Sequence, residues 1–259
     1  MKKQRYLPLL WIIALLALWE AAAHFSGVSP LLLPPVEDVA RALWRELFAG
    51  TLGLQLLLSL GLILLALSVS FGLALLLVLL GRRSRLLKSL LDTLSALLHP
   101  LPGVALLPLV VLWLGTGGVS VFAIMVHACL WSLIISLKEG FASVPEVYLR
   151  AGQNLSLSPL RLELEILLPG SAAALLSGLR VGWARAWRAF ISAEMVFGAV
   201  SSLGGVGWYL FRQRAFMNTP ALFAGLMCVM AVGYGMETLA FGALEKATVR
   251  RWGVSSDAA

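Results

Sequence analysis

Charge is scarce in this chain. Aspartate, glutamate, lysine and arginine make up 13% of its 259 residues, while 60% are hydrophobic and mean hydropathy is +0.91. A soluble domain carries about a quarter charged residues, so a water-solvated fold is excluded and lipid must cover much of the surface. Cysteine is nearly absent. Cys129 and Cys228 lie in apolar runs with no partner spacing, which reads as small buried hydrophobes rather than a disulfide or a metal site. The three histidines, His24, His99 and His127, are scattered and form no ligand cluster. Acidic residues number 13 against 20 basic ones, a net charge of +7. In a soluble protein that excess suggests nucleic acid; here the basic residues fall between apolar runs and describe membrane topology instead. The sequence also lacks a Gly-x-x-x-x-Gly-Lys-Ser/Thr phosphate loop, which excludes a P-loop ATPase.

Long apolar runs, by contrast, are plentiful. A hydrocarbon layer about 30 Å thick needs roughly 20 apolar residues in helix. Six stretches qualify: Leu7–His24, Leu54–Leu80, Leu86–Leu114, Val119–Leu137, Pro169–Val200 and Pro220–Leu244. The expected fold is therefore all-α integral membrane, one domain over residues 1–259 with about six transmembrane helices. His99, Pro100, Pro102 and Gly103 interrupt the third run, and proline removes helix hydrogen bonds, so a kink or two short pieces is expected there.

Lysine and arginine set the orientation. Thirteen of the 20 basic residues fall in alternate connections together with both termini: Lys2, Lys3, Arg5, Arg82, Arg83, Arg85, Lys88, Lys138, Arg150, Arg161, Lys246, Arg250 and Arg251. Only Arg41, Arg45, Arg212 and Arg214 fall in the others, and three arginines lie within the fifth run. The positive-inside rule then puts both termini in the cytoplasm. Met1–Arg5 is basic, Tyr6–Leu18 apolar and Ala21–Ala23 similar to a cleavage site, so a cleaved signal peptide is the competing reading of the first run.

Two connections carry structure of their own. After Pro34-Pro35, the apolar residues Val36, Val39, Leu43 and Leu47 recur at helical spacing, which predicts an amphipathic helix over 36–48 lying along the outer surface. The cytoplasmic connection Ser143–Leu168 reads as two short helices. Ser143-Val-Pro-Glu146 has the spacing of a capping box, with Pro145 in the first turn. Ser158-Pro159 has that of an N-cap followed by proline at the first helical position. The turn between them falls near Asn154–Ser156, and Leu168-Pro169 bends the chain into the fifth run. The alternative is an interfacial hairpin that only packs on the bundle.

The sequence Leu149-Arg-Ala-Gly-Gln-Asn-Leu-Ser-Leu-Ser-Pro-Leu-Arg-Leu-Glu-Leu-Glu-Ile-Leu-Leu-Pro169 resembles the cytoplasmic loop of ABC-importer permeases. That motif runs Glu-Ala-Ala, three residues, Gly, nine residues, Ile, one residue, Leu-Pro. Ala151, Ile166, Leu168 and Pro169 match it, whereas Arg150 stands at the glutamate, Gly152 at the second alanine and Ser156 at the glycine. Further segments resemble the sulfonate, taurine, nitrate and thiamine-precursor branch: Pro30–Pro35, His99–Gly115, Leu179–Trp183 with Ala193-Glu194, and Gly204–Gly207. The resemblance covers about residues 30–252.

The resemblance implies a permease subunit of an ATP-driven importer in the bacterial cell (inner) membrane. It implies a translocation path for a small solute, often anionic and containing sulfur or nitrogen, delivered by an extracytoplasmic binding protein. It also implies a second copy of the permease and two ABC ATPase subunits. ATP and Mg would be used by the ATPase, with no cofactor bound by this chain. The loop residues Glu146, Arg150, Ala151, Gly152, Ser156, Ile166 and Pro169 would dock on that ATPase. Arg150 reverses the charge of the family's glutamate there, and Ser156 replaces a glycine whose turn calls for positive φ, a role open also to Asn154.

In the fifth run, Ala174, Gly178, Gly182 and Ala186 form a small-residue stripe suited to close helix packing. An arginine at a helix centre costs about 2.5–3.5 kcal/mol on insertion scales, so Arg185 and Arg188 need a wet or paired environment. They lie roughly 60° apart on the helix. They are candidates for the translocation pathway; Trp183, Trp187 and Glu194 on another face are further candidates. The alternative is a structural ion network with Glu194 or Glu237, or snorkelling. At the level of function, the alternative is an ion-gradient-driven secondary transporter or channel, which would carry inverted repeats and paired ionisable groups at midplane.

Overall fold

The computed structural model describes residues 7–199 and 202–248. Lys2, Lys3, Arg5, Arg250 and Arg251, which enter the charge bias, lie outside the described residues, as does Val200 at the end of the fifth run. Among the described residues the chain is helical, with no strand.

Three helices among the described residues are long and apolar enough to cross a bilayer: α3 (Leu52–Arg83), α6 (Gly118–Ser143) and α11 (Thr219–Ala247). Two more crossings are made if each bent pair is one span. In the first, α4 (Arg85–Leu98) and the stretch Gly103–Leu114 meet at 96°. That stretch is a 3₁₀ turn, Gly103–Leu106, leading into α5 (Leu107–Leu114). In the second, α8 (Pro159–Gly170) and α9 (Ala172–Phe197) meet at 73°. The N-terminal apolar run forms α1 (Leu7–Phe25), of 19 residues. At about 1.5 Å per residue it is about 28 Å long, a little short of the hydrocarbon layer. Among the described residues the helices long and apolar enough to cross therefore number three, or five with the bent pairs, against the six runs expected. The break expected in the third run is a near right angle rather than a kink, because Pro100 and Pro102 supply no N–H where the helix would continue.

The core is a layer of three helices with α6 in the middle. From α3 come Ile63, Ala66 and Leu67, from α6 Ile124, Leu133, Ile134 and Leu137, and from α9 Trp183, Ala186 and Phe190, all buried. The small-residue stripe of α9 packs within the chain, on α6. A Cβ at Gly178 would lie 2.5 Å from the Ser136 Cβ, and the Cys129 thiol donates to the Gly182 carbonyl at 3.4 Å. Close backbone approach is what such stripes provide in lipid, where contacts rather than water exclusion hold helices together.

Helix α2 (Val36–Phe48) follows Pro35 directly, with Glu37 and Asp38 in its first turn. It does not lie free on the surface. Val39 and Ala42 are buried against the bundle, chiefly on α11, and the opposite face presents Trp44 and Phe48, whose rings sit 4.3 Å apart. The start of α2 is tied to α1: Trp19 donates to the Pro34 carbonyl at 3.1 Å and the Val36 N–H donates to Glu20 at 2.8 Å.

Candidate functional site

Beside the 96° break between α4 and Gly103–Leu114 lies a cavity of about 320 Å³, between α9, α6 and the proline-rich turn. Its walls include His99, Pro100, Gly103, Arg185, Arg188 and Ser192. The two arginines that sequence spacing puts on one side of α9 therefore face one space. Arg185 reaches across to the end of α4, where its guanidinium donates to the His99 carbonyl at 3.0 Å and lies 2.9 Å from His99 Nε2. That carbonyl belongs to the last turn of a helix that proline has ended, so Arg185 satisfies an acceptor the break leaves without an intrahelical donor. Arg188 is exposed, and its Nε donates back to the Ala184 carbonyl at 3.0 Å.

Neither arginine forms an ion pair among the described residues. The carboxyl groups proposed as network partners are engaged elsewhere. Glu237 sits 3.7 Å from Arg180, which also meets Glu245 at 2.7 Å. Glu194 is fully buried and caps α10 (Val206–Ala215): its oxygens accept from the N–H groups of Gly205 at 2.7 Å, Gly207 at 3.0 Å and Trp208 at 3.3 Å. The Ser59 hydroxyl accepts from Val206 N–H at 2.9 Å in the same turn, and Gln55 donates to the Leu203 carbonyl at 2.7 Å. Carboxyl oxygens at a helix N-terminus meet its unpaired donors and positive dipole end. Trp183 and Trp187 are buried in the bundle and stacked on each other, centroids 5.6 Å apart. Of the five pathway candidates, the structure brings Arg185 and Arg188 together at the cavity; Trp183, Trp187 and Glu194 are packed away from its walls.

At the other end of the molecule the connection between α6 and α9 folds into α7 (Glu146–Asn154) and α8. The capping box is not formed. Ser143 ends α6, its hydroxyl donating to the Gly140 carbonyl at 2.8 Å, and Pro145 takes the N-cap position with no side-chain cap. Pro145 fixes its own φ, and that displaces the start of α7 from the serine. The second start is as read: the Ser158 hydroxyl accepts from Arg161 N–H at 3.4 Å, with Pro159 at the first position. Ser156, not Asn154, takes the positive φ of 56°. Ser156 N–H donates to the Gln153 carbonyl and Leu157 N–H to the Gly152 carbonyl, at 2.9 and 3.1 Å, a Schellman closure of α7.

Gly152 is the point of closest approach between the two loop helices. A Cβ there would sit 2.5 Å from Ile166 and Leu162 side chains. Glu146 and Arg150 are exposed and pair with each other at 3.1 Å. Ala151 is also exposed, and Pro169 is half-buried two residues before the bend into α9. The contact that sequence reasoning missed is Glu163. Its buried side chain meets Arg82 Nε at 3.4 Å and an Arg83 Nη at 3.2 Å, clamping α8 to the C-terminal end of α3. In the alternation Leu162-Glu-Leu-Glu-Ile166 nothing in the sequence distinguishes the buried Glu163 from the exposed Glu165.

Set against known proteins, residues 72–247 match the family described as binding-protein-dependent transport system inner membrane component. The chain is 29% identical over 231 residues to the taurine transport system permease protein of Escherichia coli, covering 87% of this chain and 82% of the relative. It is 29% identical over 239 residues to the riboflavin transport system permease protein of Chloroflexus aurantiacus, covering 92% and 87%. Identity to the nitrate import permease protein of Synechocystis is 26% over 232 residues, covering 87% and 83%.

Proposed function

Because the chain belongs to the family of binding-protein-dependent transport system inner membrane components, we propose that it is the permease subunit of an ATP-driven ABC importer. In this reading two copies form the path, two ATPase subunits use ATP and Mg, and an extracytoplasmic binding protein delivers the solute. The loop α7–α8 is the docking element for the ATPase. Its exposed Glu146, Arg150 and Ala151 form the contact face, and the Glu163 clamp passes movement to α3.

The solute we infer is a small anion. The observation that carries this is the cavity at the broken third span, where Arg185 and Arg188 bring two guanidinium groups with no carboxyl partner among the described residues. Guanidinium groups donate in a planar fork that suits sulfonate, carboxylate or nitrate oxygens. The relatives' names, taurine and nitrate among them, agree with this chemistry, while riboflavin shows that family membership does not fix it. His99, already bonded to Arg185, holds that side chain at the cavity wall and keeps it from snorkelling.

The test is uptake of radiolabelled taurine and of nitrate by proteoliposomes that hold the chain with its ATPase and binding protein. Uptake that requires ATP inside and binding protein outside is expected. Uptake driven by an imposed proton or sodium gradient without ATP would overturn the reading in favour of a secondary transporter.

A further inference from the structure

A second cavity lies where α3, α4 and α6 end at the cytoplasmic side, away from the arginine pair. It measures about 430 Å³. Three cations stand round it, Arg82, Lys88 and Lys138, over a floor of Val78, Leu91 and Phe141, each about 4% exposed. We propose that this cavity is a binding site for the phosphate headgroup of an anionic phospholipid of the cytoplasmic leaflet.

Three observations support the assignment. The first is charge. Arg82 is held at the rim by Glu163 and lies 5.8 Å above the Phe141 ring, and Lys138 pairs with Asp92. Lys88 has no ion pair among the described residues, and Arg83, the second partner of Glu163, adds a further cation. Asp92 and Glu163 are thus outnumbered, and the site retains net positive charge for a phosphodiester.

The second is position. Lys88 is exposed in the first turn of the 14-residue helix α4 and lines the cavity together with Leu91 one turn further on. The third is depth. The outward face of α4 carries Leu86, Leu90 and Leu97, at 83%, 50% and 63% exposure. Leu90 and Leu97 suit hydrocarbon, and the basic first turn before them, with Arg85 and Lys88, then lies at headgroup level. Basic pockets between helices at this level attract anionic lipid at about 1 kcal/mol per lysine or arginine. A soluble anion would gain nothing from the apolar face beside the opening.

The experiment uses the assembled transporter, purified after incubation with mixed phosphatidylglycerol and phosphatidylcholine, with retained lipid counted by native mass spectrometry. Three variants are compared with the parent: Lys88→Gln, Lys88→Gln/Lys138→Gln and Arg85→Gln. Lys88 is exposed and without an ion pair, so its replacement leaves the fold intact. The parent should retain phosphatidylglycerol over phosphatidylcholine, and Lys88→Gln should weaken retention roughly fivefold, from about 1 kcal/mol per lysine. The double variant should weaken it further, while Arg85→Gln, outside the cavity wall, should change it little. Unchanged retention in the double variant overturns the site. An equal loss in Arg85→Gln overturns it too, since diffuse surface charge then suffices. Complete displacement of lipid by millimolar inorganic phosphate would assign the cavity to a soluble anion instead.

Discussion

Glu194 and Arg185 show how two ionisable side chains on one buried helix acquire opposite roles from their surroundings. Both lie on α9 among apolar neighbours. Glu194 meets three backbone N–H groups of the glycine-rich turn before α10 and is wholly enclosed. Arg185 meets a single carbonyl and a histidine ring at the wall of a cavity. The first is a structural cap, and its removal leaves buried donors unsatisfied at about 1–3 kcal/mol each. Glu194→Ala should therefore lower the thermal midpoint of the detergent-solubilised protein by many degrees, with Glu194→Gln, which keeps one acceptor, falling between. A Glu194→Ala protein as stable as the parent but defective in uptake would place this residue in the path instead. Sequence alone did not separate the two. Helical spacing shows which face a residue shares, but Glu194 depends on Gly205, Gly207 and Trp208 beyond the helix end, and Arg185 on a turn 86 positions earlier in the chain.

At the scale of elements, much was written in local chemistry. Proline pairs marked the start of α2 and the break after α4, and Ser158-Pro159 marked the start of α8. The Ser143–Glu146 spacing misled because Pro145 itself sets the entry to α7. The angle of the break and the clamp of α8 on α3 were not legible, since both depend on tertiary neighbours. The loop offers a clean separation of folding from docking. Glu146 and Arg150 are exposed and their i, i+4 pair contributes only about 0.3–0.5 kcal/mol, so Arg150→Glu leaves α7 folded. Ala151→Asp likewise changes an exposed position. Both variants should reach the membrane yet co-purify with less ATPase and support less ATP-dependent uptake. Normal association and uptake in both would show that α7 is not the docking element.

The whole molecule is a bundle whose ends differ in charge and in task. Positive residues gather at one end, where α3 and α6 finish, α4 begins and α11 finishes, alongside the α7–α8 loop, while the glycine-rich turn and α2 lie at the opposite end; the positive-inside rule assigns the basic end to the cytoplasm. Cysteines placed beside Arg83 and Lys246 should react with an impermeant maleimide only from the cytoplasmic side, and one beside Gly117 only from outside. A Gly117-side cysteine labelled from the cytoplasm would invert the third and fourth spans. The central claim is that the cavity at the broken third span is part of the solute path. It is tested most directly by anion uptake in vesicles holding the Arg185→Gln/Arg188→Gln permease with its ATPase and binding protein. Charge-assisted hydrogen bonds are worth about 1.5–3 kcal/mol, so the assembled complex should form normally and transport at least about tenfold more slowly. Uptake at the parent rate by an intact double-variant complex would contradict the account.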